Sequence, residues 1–397
     1  GGAQENTLAT VRGLKEKGYE VTLVTGPTWG IEGEIISKAL EEGFDVMILP
    51  GLVRELDFLR DGVVLSKLKK WMKRSHFVIV HTHTSKAGFL GRLAANRCKV
   101  PIVIHTSHGH VFHSYFSPLK ERLFLRIEQK AADWCDRLIA LTEVERNEHL
   151  KLRVGRPEKW AVIPSGINEK KFFEISLNDQ ESLKRRFNIP LKVPVVGFIG
   201  RLASIKGPRY LIESIPLVCQ ILPEAHFVFV GDGDERKLLE QKVREMGISP
   251  QVTFTGHHET ANEFLNLFDV LVVPSLNEGM GRVIAEAGLL KKPVVGTRVG
   301  GILDLIEDRI TGLLVNPRNP AGISGAVLEL LKDYPLSRRL GEALYERILE
   351  GFTENHMVDK IHAVYQEMIK EKKLLFRRPL IAETFSATRS DLIKAGV

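Results

Sequence analysis

The 397-residue sequence has few cysteines, few aromatic residues and no long apolar run. Its three cysteines, Cys98, Cys135 and Cys219, are odd in number and widely spaced, which supports neither a disulfide framework nor a zinc site. No apolar run approaches the roughly 18 residues of a membrane-spanning helix. Because no secretory signal is visible either, we expect a reduced, cytoplasmic protein. The sequence starts with Gly rather than Met, so we expect that its natural start is missing.

The residues that are abundant are typical of an α/β enzyme. Hydrophobic residues make up 44% of the chain and charged residues 26%, and there are 34 glycines. This composition excludes a disordered protein, because it supplies enough apolar surface for a core. Short β-branched runs alternate with helical stretches, a pattern that predicts parallel strands joined by crossover helices. Clear examples of such runs are Phe77–His81, Val195–Ile199, His226–Val230 and Val270–Val273.

These runs form two series, which predict an α/β protein of two doubly wound, Rossmann-like domains facing across a cleft. We assign residues 1–168 to the first domain and 190–353 to the second. A polar helix at 354–375 and a loosely structured tail at 376–397 complete the chain. Folds of this kind bind ligands at the carboxyl ends of their strands. Candidate site residues should therefore lie directly after strands.

Positive charge is concentrated in the first half. The net charge is +7, and residues 1–175 hold 27 Lys and Arg against 21 Asp and Glu. Within 66–75, three apolar residues recur at helical spacing: Leu68, Trp71 and Met72. Either this helix docks on an anionic membrane surface, or its apolar residues pack into the first domain's core and its basic face is solvated. The basic residues concerned are Arg54, Arg60, Lys67, Lys69, Lys70, Lys73 and Arg74.

Two cations follow the strand Val195–Ile199. Arg201 and Lys206 lie five residues apart on a strand-to-helix loop flanked by glycines. The planar fork of Arg and the compact charge of Lys together suit a diphosphate, although the order of residues is not that of a P-loop. The alternative is an ordinary solvated loop.

A second cluster, Pro274–Gly281, follows another buried strand. Its glycines allow a close backbone approach to a ligand, and the amides of the next helix start are free to face an anion. Glu278 and Glu286 lie up to about 12 Å apart along this segment, more than the roughly 5–9.5 Å of a glycosidase carboxylate pair. We expect them to hold opposite ends of one extended ligand. The alternative for Glu286 is a buried helix acid paired locally.

Six histidines between 77 and 113 raise the question of a metal site. They lack the Cys or acid partners that a zinc site commonly has, so we expect most of them to be hydrogen-bonded groups of the core or the cleft. His108, at a strand end, is the one that we place in the cleft. Asp232 and Asp234 form an Asp-x-Asp pattern, but the glycines around them predict a turn rather than a metal site.

In this order and spacing, the motifs resemble those of retaining nucleotide-sugar glycosyltransferases of glycosyltransferase family 4, which have the GT-B fold. The resemblance extends from Gly1 to about Lys370. Each motif is weak alone, but the series is specific. The motifs lie at Gly1–Gln4, His81–Gly88, Thr106–Gly109, Ile163–Gly166, Gly200–Gly207, Val230–Gly233 and Glu278–Glu286.

The resemblance implies roles for the residues of the second domain. Arg201 and Lys206 match the pair that holds the diphosphate of the donor. Glu278 matches the Glu that faces the donor sugar, and Glu286 the one that contacts the ribose. The backbone beside the sugar and the phosphates is implied for Gly279, Met280 and Gly281.

The resemblance also implies roles for the first domain and the chain ends. His108 matches a His near the sugar, and Gly1 and Gly2 match a glycine loop at the domain interface. The family has a strand before that loop, and its absence here implies a truncated chain. The helix at 354–373 matches one that crosses back onto the first domain. The residues expected to act in catalysis are therefore His108, Arg201, Lys206 and Glu278.

The leading hypothesis is a retaining transfer of a sugar, with a UDP-sugar as the expected donor, to a lipid-linked glycan acceptor in cell-envelope or exopolysaccharide biosynthesis. The enzyme is expected to need no metal or other cofactor and to have no nucleic-acid partner. It is expected in the cytoplasm, or peripherally on the inner face of the plasma membrane. The alternatives are a nucleotide-sugar epimerase of the same fold and a two-lobed sugar-binding protein without catalysis.

Overall fold

The computed structural model describes residues 2–27, 34–53, 55–108, 118–173, 180–258 and 260–374. Gly1, Arg54, Gly109 and the tail at 376–397, all named above, lie outside these ranges. The described chain contains two bodies of parallel strands and helices, followed by a final helix. The expected GT-B architecture, an α/β fold of two Rossmann-like domains, is confirmed.

In the first domain, helices alternate with parallel strands. The strands form a pair, β1 with β2, and a sheet in the order β3-β4-β5-β6. The strands are β1 (Thr22–Thr25), β2 (Asp45–Ile48), β3 (Ile79–His83), β4 (Ile102–Thr106), β5 (Arg137–Ala140) and β6 (Trp160–Val162). The helices are α1 (Gly2–Glu16), α2 (Glu34–Glu41), α3 (Phe58–Ser75), α4 (Ser85–Cys98), α5 (Pro118–Asp133) and α6 (Glu143–Lys151).

Two short helices, α7 (Lys170–Phe173) and α8 (Gln180–Arg186), lead into the second domain. Its parallel sheet has the order β12-β11-β10-β7-β8-β9. The strands are β7 (Val195–Ile199), β8 (His226–Val230), β9 (Val252–Gly256), β10 (Val270–Val273), β11 (Val294–Thr297) and β12 (Leu313–Val315). The helices are α9 (Pro208–Cys219), α10 (Arg236–Glu245), α11 (Arg282–Leu289), α12 (Ile302–Leu305), α13 (Pro320–Lys332), α14 (Tyr334–Gly351) and α15 (Glu354–Glu371).

The sheet of the second domain is covered on both faces. Successive side chains of a strand point to opposite faces, and β8 shows this directly. Phe227 and Phe229 enter one hydrophobic cluster, whereas Val228 and Val230 enter the other. A strand buried on both faces reads as a continuous apolar run, which explains why the sequence pattern locates β8 so well.

The strand order of the second domain reverses between β7 and β10. From β7 the chain proceeds outward through β8 and β9, and from β10 it proceeds through β11 and β12 in the other direction. At such a switch point the loops after the two central strands diverge and leave a crevice at the carboxyl edge. The fold therefore places the loops after β7 and β10 side by side.

The last helix, α15, packs on the first domain although it follows the second. Its Met357, Ile361 and Met368 share a hydrophobic cluster with Ile102 and Ile104 of β4. It also lies against α1 so closely that a Cβ atom built at Gly13 would be 2.4 Å from a methyl carbon of Val358. Glycine at this position is therefore a packing requirement.

Two expectations, on β3 and on Gly2, need correction, and the alternatives for the apolar stripe of α3 are resolved. Strand β3 runs over Ile79–His83 rather than Phe77–His81, because His76 ends α3 in a left-handed conformation (φ 50°) and Phe77 turns back to contact Trp71. Leu68 and Met72 are buried in the first domain's core and Trp71 packs against it, so the apolar stripe of α3 faces inward. Gly2, expected in a glycine loop, is the exposed first residue of α1.

The helical start at Gly2 has a local physical reason. The apolar positions Leu8, Val11 and Leu14 recur at helical spacing and are buried. Glu5 lies in the first turn, where a negative charge is favourable near the helix dipole. Among the described residues, no helix combines the length and the apolar character needed to cross a bilayer.

Candidate functional site

The loops after β7 and β10 meet at the switch point of the second sheet. Lys206, on the loop after β7, lies with its Nζ 2.8 and 2.7 Å from the two carboxylate oxygens of Glu278, on the loop after β10. The hydroxyl of Ser275 donates a further hydrogen bond to Glu278, 3.0 Å long. Two motifs that are 72 residues apart in the sequence are thus in direct contact.

Glycines allow these loops to approach each other closely. Gly207 has a φ of +66°, and a Cβ atom there would lie 2.1 Å from the carbonyl oxygen of Pro274. At Gly300, after β11, a Cβ would lie 2.1 Å from the carbonyl oxygen of Glu278. Both distances are shorter than any van der Waals contact, so a larger residue would push the loops apart. The glycines fix the position of Glu278.

The start of α11 is open to a ligand. Its N-cap residue is Gly281, with a φ of +79° and no capping side chain in the described chain. Gly279 is exposed, and a Cβ built on it would meet no atom within 4 Å. The amide of Ile284 donates to the carbonyl oxygen of Gly281 at 2.8 Å, which leaves the earlier amides of this turn available to an anion. Met280, by contrast, has its side chain in the core of the second domain, so only its backbone can take part.

Arg201 and Glu286 lie on either side of the Lys206–Glu278 pair in the sequence. Arg201 is exposed, and the described residues give its side chain no ion pair. Glu286 accepts a hydrogen bond of 3.1 Å from Arg282, one turn earlier on α11. This contact fits the alternative that Glu286 is paired locally. The contact of Glu286 with a ribose stays a prediction.

His108 belongs to a group of partly buried histidines at the carboxyl edge of the first sheet. Its Nε2 lies 3.0 Å from Nδ1 of His83. His83 stacks on His81 with ring centroids 4.5 Å apart, and His81 contacts the hydroxyls of Tyr365 at 2.9 Å and Thr106 at 2.7 Å. Sequence analysis missed Tyr365, because 284 residues separate it from His81.

Burial keeps these histidines neutral. It lowers the pKa of His108 to about 4. Burial also lowers the pKa of His81 to about 3, with a smaller contribution from His108, and holds that of His83 well below its usual range. At neutral pH each ring carries one proton. His108 is therefore suited to hydrogen bonding with a neutral sugar rather than to acting as a cation.

The Asp232–Asp234 segment forms a turn. Asp232 accepts a hydrogen bond of 2.7 Å from the amide of Gly233, and its side chain is more than half exposed. Across the described residues, no group of three or more His, Cys, Asp or Glu side chains is arranged to hold a metal ion.

The two domains also touch through α6 and α12, a contact that sequence analysis did not reveal. A Cβ built on Gly301 would lie 2.7 Å from the methyl carbon of Thr142, so the start of α6 rests on the second domain. Asp304 lies in the same contact. Burial and then the charge of Glu143 raise the pKa of Asp304 to about 6, and Arg347 donates to its backbone carbonyl at 2.7 Å.

Further contacts join the domains near the cleft. Arg282 of α11 donates to the carbonyl oxygen of Gly166 at 3.4 Å and lies 3.9 Å from Glu5 of α1. Within the first domain, Asn6 of α1 donates to the hydroxyl of Ser165 at 2.9 Å, which holds the start of α1 beside Gly166. The N-terminal end of α1 therefore faces the helix that carries Glu286.

Comparison with known proteins identifies the chain. A family model described as "Glycosyltransferase Family 4" matches residues 1–171, and one described as "Glycosyl transferases group 1" matches residues 193–333. An Escherichia coli UDP-Gal:alpha-D-GlcNAc-diphosphoundecaprenol alpha-1,3-galactosyltransferase is 28% identical over 94% of this chain and 95% of its own. A D-inositol 3-phosphate glycosyltransferase of Corynebacterium diphtheriae is also 28% identical, over 92% and 89%.

Solved structures agree in fold. HepE of Anabaena, crystallised with UDP, superposes with a TM-score of 0.79 at 20% identity and covers 92% of this chain and 96% of its own. The lipopolysaccharide outer core galactosyltransferase WaaB gives 0.70 at 15% identity, with the same coverage. The fold and the relatives together define a nucleotide-sugar-dependent glycosyltransferase of the GT-B class. The two family models, each over less than half of the chain, and these relatives support a glycosyltransferase of the family 4 type.

Proposed function

We propose that this enzyme transfers a hexose, with retention of configuration, from a UDP-sugar to a lipid-linked glycan acceptor at the cytoplasmic face of the membrane, in cell-envelope or exopolysaccharide biosynthesis. The contact between Lys206 and Glu278 carries the proposal. It puts a cation suited to the leaving diphosphate next to a carboxylate suited to sugar hydroxyls. Both lie beside the open start of α11.

Charge develops on the diphosphate as the bond to the anomeric carbon breaks. Fixed cations and helix-start amides stabilise such charge most in the transition state. Arg201, Lys206 and the first amides of α11 are the groups available for this task. Because they supply the electrostatic stabilisation, we propose that the enzyme works without a metal ion.

The proposed reaction is a front-face displacement. The bond between the anomeric carbon and the diphosphate oxygen breaks, and the acceptor oxygen forms its bond on the same face of the sugar. The acceptor's proton passes to the departing phosphate oxygen, so UDP leaves as the protonated product. No side chain has to act as a nucleophile. His108, neutral because of burial, hydrogen-bonds the sugar from the side of the first domain.

The relatives support the choice of donor and acceptor. HepE of Anabaena was crystallised with UDP and with UDP-glucose. The Escherichia coli relative, which aligns over nearly the whole chain, uses UDP-galactose and a diphosphoundecaprenol-linked acceptor according to its name. The corynebacterial relative is named for D-inositol 3-phosphate, an acceptor of a different kind, so the experiment tests the acceptor directly.

The test measures donor binding and product formation separately. UDP-sugars are screened by thermal shift, because a ligand that binds only the folded protein raises its stability. Release of UDP is then followed with and without polyprenyl-diphosphate-linked glycans, and the anomeric configuration of the product is read by NMR. We expect UDP release only with acceptor, and an α-linked product from an α-linked donor. UDP release without acceptor, with epimerised sugar, would identify an epimerase instead.

A further inference from the structure

The first turn of α3 exposes large apolar side chains. Phe58 is 94% exposed and Leu59 is 86% exposed. Leu56, just before the helix, and Val63, one turn later, are also exposed. Leu59 and Val63 lie opposite the face that buries Leu68 and Met72, and Phe58 is the exposed first residue of the helix. The exposed apolar residues are therefore a separate feature from the inward-facing stripe.

The first turns of α5 repeat the feature. Leu119 and Leu123 are 79% and 57% exposed. Helices α3, α4 and α5 contribute to one hydrophobic cluster on one side of the first sheet. Helix α5 follows β4 and so begins at the carboxyl edge of the sheet, and the ion pair between Asp61 and Lys86 holds the start of α3 beside the start of α4 at the same edge. Together these side chains form what we call the apolar rim, defined as Leu56, Phe58, Leu59, Val63, Leu119 and Leu123.

Basic residues continue each exposed face behind the rim. On α3, positions 59, 63, 67, 70 and 74 are three or four residues apart and thus lie along one face. This face changes from Leu and Val to Lys67, Lys70 and Arg74. On α5, positions 119, 123, 126 and 130 repeat the pattern and end in Arg126 and Lys130. All of these residues are exposed.

Two acidic side chains near the apolar rim, Asp57 and Asp61, already have partners within the protein. Asp57 caps α3 by accepting from the amides of Leu59 and Arg60. Asp61 forms an ion pair of 2.6 Å with Lys86 on α4. The outward charge of this surface is therefore mainly positive. Apolar tips combined with flanking cations suit the boundary of an anionic bilayer.

We propose that the apolar rim inserts into the headgroup boundary of an anionic lipid bilayer while the basic faces of α3 and α5 lie on its surface. The proposal builds on the proposed function, because a lipid-linked acceptor confines the reaction to such a surface. His108 follows β4, at the same edge of the sheet as the rim. A bilayer docked there would present the acceptor's diphosphate close to the cleft.

The test is co-sedimentation of the full chain with phosphatidylcholine vesicles, with and without phosphatidylglycerol, at low and high salt. Phe58→Ser combined with Leu59→Ser removes the tip of the rim without touching the core. The matched control is Leu238→Ser, an exposed leucine on α10 of the second domain. Lys67→Ser, Lys70→Ser and Arg74→Ser together remove the basic face of α3.

We expect the wild type and the control to bind only the anionic vesicles, and salt to weaken that binding. The Phe58/Leu59 variant should bind at least about tenfold more weakly, the loss expected when one or two such side chains no longer leave water. The basic-face variant should lose most of its salt-sensitive binding. Wild-type failure to bind anionic vesicles, or a Phe58/Leu59 variant that binds as well as the control, would overturn the proposal.

Activity measurements separate docking from transfer. With a short-tailed, water-soluble acceptor, the Phe58/Leu59 variant should keep wild-type kcat and KM. With acceptor embedded in anionic vesicles, its KM should rise. An enzyme that binds vesicles but transfers sugar to neither acceptor would refute the proposed function and leave docking supported. An enzyme that transfers to the soluble acceptor but binds no vesicles would do the reverse.

Discussion

At the scale of single residues, the Lys206–Glu278 pair brings together the group proposed to bind the diphosphate and the group proposed to bind the sugar. Lys206 has three donors, and two of its distances to Glu278 are hydrogen-bonding distances. The ion pair holds both groups at the crevice before a ligand arrives. A diphosphate entering beside Lys206 can use its remaining donor and the fork of Arg201. Because the Lys206 side chain is already ordered in the free enzyme, ligand binding loses little of its conformational entropy.

Removing either cation should slow transfer. Arg201→Ala and Lys206→Ala should each lower kcat by about 10²-fold or more, since roughly 3 kcal/mol of stabilisation of the leaving group is lost. The measurement is steady-state turnover with saturating donor. The control is Arg338→Ala, an exposed arginine on α14, which should leave kcat unchanged. Near-normal turnover in either cleft variant would remove that residue from the diphosphate site.

Asp304 should make the domain contact depend on pH. Its pKa is raised to about 6 by burial first and by Glu143 second, so the protonated form is favoured in the folded protein. The contribution of protonated Asp304 to the stability of the folded protein is complete below the ordinary carboxyl pKa of about 4. It is lost as pH rises through about 6. Asp304→Asn keeps the uncharged form at every pH. The variant should gain stability over the wild type as pH rises from 4 to 7.5.

We expect that gain to be on the order of 1 kcal/mol, since the site is only about half buried and solvent screens part of the effect. Chemical denaturation at several pH values measures it. Glu346→Gln, an exposed acid on α14, is the control and should show no such trend. A stability difference for Asp304→Asn that stays flat across this range would contradict the assignment of the raised pKa.

At the scale of elements, the sequence located the strands of the second domain better than those of the first. The bounds of β7, β8 and β10 were predicted to the residue, because each is a largely apolar run followed directly by Gly or Pro. The bounds of β3 were two residues out, because the left-handed residue His76 carries no sequence signal. Elements whose ends depend on a single backbone conformation are predictable only within a few residues.

The contacts between elements were less predictable than the elements. Loops that follow two paired parallel strands lie side by side. Which strands pair, here β7 with β10, depends on the order of strands in the sheet, and the sequence does not show that order. The contact of Thr142 with Gly301 and that of Tyr365 with His81 join distant parts of the chain. Neither leaves a periodicity or a motif in the sequence. The site residues could therefore be nominated from the sequence, but their partners could not.

The hydrogen bond from α15 to β3 gives a prediction about an element. Tyr365→Phe removes the hydroxyl at 2.9 Å from Nδ1 of His81 and leaves a buried ring nitrogen without that partner. The free energy of unfolding should fall by about 1–3 kcal/mol. Urea denaturation measures the change. Tyr334→Phe, an exposed tyrosine on α14, is the control. Equal stability of the Tyr365→Phe variant and the wild type would mean that the hydrogen bond contributes nothing net.

At the scale of the whole molecule, the proposed function requires a contribution from each domain. In that proposal the second domain supplies Arg201, Lys206, Glu278 and the start of α11, and the first supplies His108. Contacts of Arg282 with Gly166 and of Gly301 with Thr142 join the two domains. The chemistry proposed for the cleft relies on protein cations throughout.

Transfer should therefore survive removal of metal ions. The purified enzyme, dialysed against excess chelator and assayed in it, should keep its turnover, because Arg201, Lys206 and the helix start stabilise the leaving group. The control is a metal-dependent glycosyltransferase assayed in the same buffer, which should stop. If turnover of this enzyme is lost and then restored by Mg²⁺ or Mn²⁺, the Asp232–Asp234 turn becomes the first candidate for the metal.

The path of α15 determines where the sequences of two such enzymes can be joined to make a hybrid. The helix is continuous with the second domain but completes the core of the first, through Met357, Ile361 and Met368. A hybrid made by joining the first half of one relative to the second half of another would pair a foreign helix with the first core. Functional hybrids need two crossover points, one near residue 168 and one near 354. Donor specificity can then be exchanged as an inserted cassette between them.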